Sequence, residues 1–232
     1  MFKNLLIKVF ILLILGSCSD IKREVLLFMH KRHIDAVESN PDSLLSAKTL
    51  AIMCTTFGKE KTEELYSNLT QRVKDSEDGK VILRYLQLNK DPEIGERYVD
   101  FDMEDTTGSI QRLSDLEGKV VLLEFWASWC GPCIREIPNL KTTYDKFHPE
   151  GFEIFAVSMD SGHDDWVSAI NKHDMNWIHV SDLADHDNTA SFIYGVHGIP
   201  DNFLIDQEGV IIGRDLTGDD LNNILAEQIK IH

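Results

Sequence analysis

The spacing of apolar positions changes once along the chain, near Asp91-Pro92. Before that point it has the three-to-four-residue period of helices, and after it come short apolar runs set between turn residues. Ile21, Val25, Leu26 and Met29 fall at helical spacing. Asn40-Pro41-Asp42-Ser43 predicts a helix start, with Asn40 as cap and Pro41 in the first turn. Leu44, Leu45, Leu50, Ile52 and Met53 follow as its apolar positions, up to a stop at Gly58. Lys59 to Lys74 puts Leu65, Leu69 and Val73 on one face, and Gly79 sets off a last short helix, Val81 to Leu88. Beyond Asp91-Pro92, Tyr98 to Met103 alternates as a strand does. Val120 to Trp126 is apolar on both faces except at Glu124, the pattern of a strand in a sheet covered on both sides. Ile134 to Phe147 predicts a helix that Pro138 should kink. Phe152–Met159 predicts a strand, Asp164–His173 a helix, Trp177–Val180 a short strand and Ser191–Tyr194 a helical turn. Gln207-Glu208-Gly209 is a hairpin turn into Val210–Arg214, and Leu221–Ile229 closes the chain as a helix.

The organisation that follows is a leader over residues 1–17, a helical region over 18–95 and an α/β domain over 96–232. In the leader, Lys3 and Lys8 give a positive start before a short apolar core, Val9 to Leu15, too short to span a bilayer. Leu15-Gly16-Ser17-Cys18 resembles a bacterial lipobox, which implies cleavage before Cys18 and a lipid on that cysteine. An ordinary cleaved signal and an uncleaved anchor are the other readings. In the helical region, His30 and His33 have a spacing that can hold a metal, but Lys31 and Arg32 beside them favour a solvated basic patch. Cys54, among Ala51, Ile52 and Met53, reads as a buried inert thiol. Asp182, Asp185, His186 and Asp187 match no ligand spacing and read as a solvated loop.

Composition is that of a globular protein, 43% hydrophobic and 27% charged, but the net charge is −16. So acidic a chain argues against nucleic acid as a partner, since phosphates call for a basic surface. It also means that a lipid, rather than attraction to anionic headgroups, must hold the protein at a membrane. Four cysteines are too few for a disulfide scaffold.

Two of them, Cys130 and Cys133, stand three residues apart where the Val120–Trp126 strand passes into a helix. At that spacing they can join as a disulfide, and the free N–H groups and dipole of the first turn favour a thiolate. Cys130 is the outer residue and the expected nucleophile; Pro132 suits a first-turn position, having no N–H to leave unpaired. A zinc knuckle would need a second paired motif, and the chain has none. Redox exchange is therefore favoured over zinc or a merely structural bridge. Glu124 is the second candidate. An ionised carboxylate inside an apolar strand is costly, so its pKa should rise. It is either a proton acceptor for Cys133 or an outward-facing residue on an edge strand.

Phe125-Trp126-Ala127-Ser128-Trp129-Cys130-Gly131-Pro132-Cys133 resembles the active-site signature of the thioredoxin superfamily. With Glu136-Ile137-Pro138, the flanking residues resemble its extracytoplasmic TlpA/ResA-like branch of thiol-disulfide oxidoreductases, from about Tyr98 to Ile229. The resemblance implies a thioredoxin-like fold, a mixed central sheet with helices on both faces. It places a buried acid at Glu124 and a cis bond at Ile199-Pro200, where a substrate strand can pair beside the dithiol. Trp129, Gly131, Pro132, Ile199 and Pro200 are the substrate-facing residues it implies. Two positions depart from the pattern, Ile134 where relatives carry a basic residue and Asp201 where threonine is common. The chemistry implied is reduction of protein disulfides outside the cytoplasm, with a membrane thiol carrier as electron donor and no metal, nucleotide or organic cofactor. The rival reading is a lipid-anchored binding or holdase module with a vestigial dithiol; a peroxidase is a weaker third.

Overall fold

The computed structural model describes residues 18–229, and side chains from Met29 to Ile229. The leader, residues 1–17, and the side chain of Cys18 lie outside the described residues. Two compact units divide at Leu86–Gln87.

The first unit is helical: α1 (Cys18–Ser39), α2 (Leu44–Phe57), α3 (Lys59–Asn68), α4 (Gln71–Lys74) and most of α5 (Glu77–Leu88). Val37, Ala47, Leu50, Ala51, Leu65, Leu69, Val73 and Ile82 form its core. Several local expectations are corrected. The N-cap of α2 is Ser43, whose hydroxyl oxygen accepts the Leu45 N–H, while Asn40 instead donates its amide to Ala36 at the end of α1. Leu45, 70% exposed, and the half-exposed Leu44 and Ile52 do not pack inward; the buried stripe is carried by smaller residues. Lys59–Lys74 is not one helix, because the chain turns at Leu69–Thr70 between α3 and α4. Gly79 lies inside α5 rather than before it. A side chain there would meet the carbonyl oxygens of Val73 and Lys74 well inside contact distance, so this glycine is set by backbone approach.

The second unit opens with Asn89, Lys90 and Asp91, which hydrogen-bond to the carbonyls of Phe192 and Ile193. A small antiparallel hairpin, β1 (Asp102–Glu104) and β2 (Ile110–Arg112), precedes the main sheet. The expected strand from Tyr98 is shorter than its alternation suggested, because Tyr98 N–H bonds to Gly209 O in a loop contact instead. The remaining elements are β3 (Val120–Trp126), α6 (Gly131–Phe147), β4 (Phe152–Ser158), α7 (His163–Lys172), β5 (Ile178–Val180), α8 (Thr189–Tyr194), β6 (Asp201–Ile205), β7 (Ile211–Arg214) and α9 (Gly218–Gln228).

The sheet runs β5-β4-β3-β6-β7, with β3, β4 and β5 parallel and β6 and β7 antiparallel. β3 is central and buried along its whole length. One face of the sheet lies under α6, through Cys133, Ile137 and Leu140 near Glu124 and Trp126. The other carries Phe125 and Phe203 against Tyr194 of α8, whose hydroxyl is fixed by the backbone of Val99. Both faces are thus covered, which is why β3, apart from Glu124, reads as an apolar run rather than an alternating one.

Gly79→Ala tests the close approach in α5. Alanine is the better helix former by about 1 kcal/mol, yet overpacking against backbone should outweigh this and destabilise the protein by roughly 1–3 kcal/mol. Chemical denaturation followed by circular dichroism reads the difference; a stabilised variant would contradict the contact.

Candidate active site

The site is built where the central strand ends. β3 delivers the chain at Trp126, a short loop follows, and α6 begins at Gly131 with Cys130 as its N-cap. Cys130 and Cys133 are joined as a disulfide. The Cys130 sulfur accepts the Cys133 N–H at 3.2 Å, so it satisfies one of the free donors of the first helical turn. That contact is where a thiolate on Cys130 would be stabilised.

Exposure does not separate the two cysteines as their order suggested: Cys130 is 4% and Cys133 3% accessible. Their surroundings differ instead. Cys130 sits beside Trp129, which is 63% exposed, and beside exposed Gly131 and Pro132. Cys133 faces inward and lines a small void with Glu124, Trp126, Ile137, Leu140, Ala156, Met175 and Trp177.

Glu124 is buried, on the central strand, so the outward-facing edge position is ruled out. Its Oε2 has no hydrogen-bond partner. Burial pushes its carboxyl up to about 8; a hydrogen bond from Asn202, its cross-strand neighbour, pulls the other way, while Asp201 and Glu136 add repulsion. The void it shares with Cys133 has a volume of about 10 Å³. A water needs roughly 10–15 Å³ on this measure, so the space is close to one water.

The segment before β6 approaches from the other side. Ile199–Pro200 is cis, Ile199 is half-buried and Pro200 is exposed. Because Asp201 pairs with Phe125, this segment is held next to the end of β3. Asp201, the departure from threonine, is buried and bound by Arg214 through Nη2 at 2.8 Å and Nε at 3.3 Å. Burial raises the Asp201 pKa, and Arg214 opposes that rise. The guanidinium also lies over the Phe203 ring, so the residue after Pro200 is anchored into the sheet.

The sequence reading did not mark Asp160, and it marked Glu136 only as part of the Glu136-Ile137-Pro138 pattern. Asp160, buried just after β4, accepts the Ser128 N–H (3.0 Å), the Ser128 hydroxyl (2.6 Å) and the Ser158 hydroxyl (2.7 Å). It clamps the loop that presents Trp129 and Cys130. Glu136, one turn beyond Cys133, has a buried Oε1 without a partner and lies near enough to Glu124 to raise its pKa. His197 is exposed on its loop. Asp182 accepts from Ala184, Asn188 and Thr189, so this loop is organised by its own hydrogen bonds.

Similarity to known proteins follows the same boundaries. Residues 94–214 match the model of the AhpC/TSA family. Thiol-disulfide oxidoreductase ResA of Bacillus cereus is 30% identical over 146 residues, covering 63% of this chain and 82% of that protein. ResA of Bacillus subtilis is 35% identical over 132 residues, covering 57% and 72%. Among solved structures, the thioredoxin domain of a thiol-disulfide oxidoreductase from Bacteroides vulgatus superposes with a TM-score of 0.56 at 33% identity, over 60% of this chain and 99% of that one. A thiol:disulfide interchange protein from Bacteroides sp. gives 0.54 at 33% identity, over 60% and 91%.

The buried acid makes stability depend on pH. Its folded pKa lies above its unfolded value, so folding favours the protonated form. That stability is complete below about pH 4.5 and lost as pH rises through about 8. Glu124→Gln should therefore be more stable than the parent near pH 8, by a few kcal/mol on linkage grounds. The gap should close near pH 4. Denaturant titrations at the two pH values check this, and equal stabilities at pH 8 would contradict it.

Proposed function

We propose that this chain, which belongs to the AhpC/TSA family and is a thiol-disulfide oxidoreductase of thioredoxin-like fold, works outside the cytoplasm as a lipid-anchored reductant of protein disulfides. The observation that carries the reading is the bonded Cys130–Cys133 pair at a helix start, with a buried acid behind its second sulfur.

In the reduced protein, the Cys130 thiolate attacks one sulfur of a client disulfide. A Cys130–client bond forms, the client S–S bond breaks, and the released client thiolate takes a proton from solvent. Cys133 then gives its proton to ionised Glu124. The Cys133 thiolate attacks Cys130 Sγ, the Cys130–client bond breaks, and the second client sulfur leaves and takes a proton from solvent, while Glu124 returns its proton to solvent before the next turn. The product is the disulfide described above. Two electrons and two protons from a membrane thiol carrier restore the dithiol. No metal, nucleotide or organic cofactor enters these steps.

Client positioning falls to the surface around Cys130. Trp129 and Pro132 offer an exposed apolar rim, and the backbone at Ile199, ahead of Pro200, can pair with an extended client segment. The reducing direction follows from what surrounds the Cys130 thiolate. Gly131 and Pro132 carry no side-chain donor or charge to stabilise it, and an ionised Glu124 disfavours it further. A less stabilised thiolate makes the disulfide form easier to keep and the dithiol the stronger reductant. Location rests on the leader pattern and on Cys18 as lipid acceptor. Among the described residues no helix is long and apolar enough to cross a membrane, so in this reading the lipid alone attaches the protein.

Two measurements test this. The parent should reduce insulin disulfides, Cys130→Ser should lose that activity, and Cys133→Ser should accumulate mixed disulfides with clients. Activity retained by Cys130→Ser would assign the nucleophile wrongly, and an inactive parent with a titratable dithiol would favour a binding module. Separately, Cys18→Ala should leave the membrane fraction on a high-salt wash; retention with the leader still attached would indicate an uncleaved anchor.

A further inference from the structure

An ion pair holds the residue that follows Pro200. Asp201 stands two positions before Phe203 on β6, so the two side chains share one face of the sheet. Phe203 pairs with Arg214 on β7, and register therefore sets Arg214 diagonally across from Asp201. The guanidinium lies over the Phe203 ring, 4.5 Å from its centroid, and donates to both oxygens of the Asp201 carboxylate. The Asp201 side chain is 6% exposed and that of Arg214 27%. Nη1 of the same arginine lies 3.7 Å from Asp91 Oδ1, in the entry segment bound to Ile193. Removing one partner of a pair so shielded leaves the other charge buried and uncompensated.

The next residue is tied in the same direction. Asn202 Oδ1 accepts the Leu216 N–H at 2.9 Å, its amide donates to Leu216 O at 2.9 Å, and the Asp215 N–H donates to Asn202 O at 3.1 Å. Upstream, the nearest fixed point is Val196, which is buried and donates its N–H to Ser191 O at 2.9 Å. Between the two anchors the chain is irregular, and His197, Gly198 and Pro200 are exposed. A side chain at Gly198 would meet nothing within 4 Å. Ile199 is the member of this span that packs partly onto the core. The stretch beside the dithiol is thus a short bridge, and side chains reaching from β6 to β7 and to the residues just after it make its downstream support.

We propose that Arg214, acting through Asp201, is a positioning residue for client binding, given the backbone pairing at Ile199 put forward above. The pair fixes where β6 begins, and with it the orientation in which the Ile199 backbone meets an extended client segment. A class of substrate follows from this. A protein or peptide disulfide, with peptide backbone beside its sulfurs, depends on the pair. A small disulfide without a peptide backbone has nothing to lay along Ile199, and reacts at Cys130 independently of it. Neither Asp201 nor Arg214 takes part in the sulfur chemistry, and no bond to either forms or breaks.

The full-length parent is compared with two variants. Arg214→Met keeps an unbranched side chain over Phe203 and leaves Asp201 unpaired. Asp201→Val combined with Arg214→Met removes the pair without leaving a buried charge. Each protein is reduced, freed of reductant and mixed with increasing insulin or with a small aromatic disulfide, dithiobis(nitrobenzoate). Oxidation of the dithiol is followed by thiol alkylation, and thermal unfolding is recorded alongside. Arg214→Met should raise the insulin concentration giving half-maximal rate by about tenfold, the equivalent of one lost hydrogen bond to the client. Its limiting rate, and its rate with the small disulfide, should stay near the parent's, the mark of lost binding rather than lost chemistry. The double variant should recover thermal stability, because two uncharged side chains cost less than one lone buried charge, and should still need the higher insulin concentration. Recovery of both would make the pair a stabilising contact alone and overturn the proposal. So would an insulin dependence equal to the parent's in both variants, or insulin and small-disulfide rates that fall together. A parent that reduces the small disulfide but never insulin would withdraw the client reading itself, and this proposal with it.

Discussion

A carboxyl group buried away from bulk solvent governs this domain. Glu124 sits in the middle of the central strand, and its free oxygen opens on a void with room for about one water. Burial alone makes the charged form expensive, so the group keeps its proton to higher pH than an exposed glutamate would. Everything that touches the reaction is placed with respect to it. α6 brings Cys133 over it, β6 lays Asn202 beside it, and the strand that carries it ends two residues later at the loop leading to Cys130. A strand that was apolar throughout would avoid the cost of burying that carboxyl, and would place no acid behind the second sulfur.

The parts of this arrangement visible in the sequence are those that one segment carries by itself. The dithiol needs only a spacing of three at a helix start, and Glu124 stands out as the single charge in Val120–Trp126. The α/β architecture follows from runs and turns, and the similarity of residues 94–214 to thioredoxin-like relatives bears it out. Local capping was harder. Asn40 and Ser43 are both good caps and lie three residues apart, and only the path of α1 into the turn, where Asn40 bonds back to Ala36, leaves Ser43 to start α2. Gly79 misled for a similar reason, since a glycine that breaks a helix and one that lets a helix pass close to a backbone look alike in one dimension.

What could not be read were contacts made by sheet register and by loops distant in sequence. Asp160 and Ser128 are separated by 32 residues, and no local period links them. The Asp201–Arg214 pair likewise depends on β6 and β7 folding back on each other. Each of these side chains is polar, and in the sequence each is indistinguishable from a solvated loop or strand-end residue.

The clamp made by Asp160 has a thermodynamic consequence for recognition. Its two hydrogen bonds from Ser128 order the Ser128–Trp129 loop when the protein folds, and a third from Ser158 ties the carboxylate to the end of β4. In the proposed reaction a client would therefore meet a surface whose conformational entropy has already been lost. It would need to supply little beyond an accessible disulfide and a stretch of extended backbone. Preorganisation of this kind favours breadth over selectivity, because affinity that does not depend on fitting particular side chains is shared by many unrelated sequences.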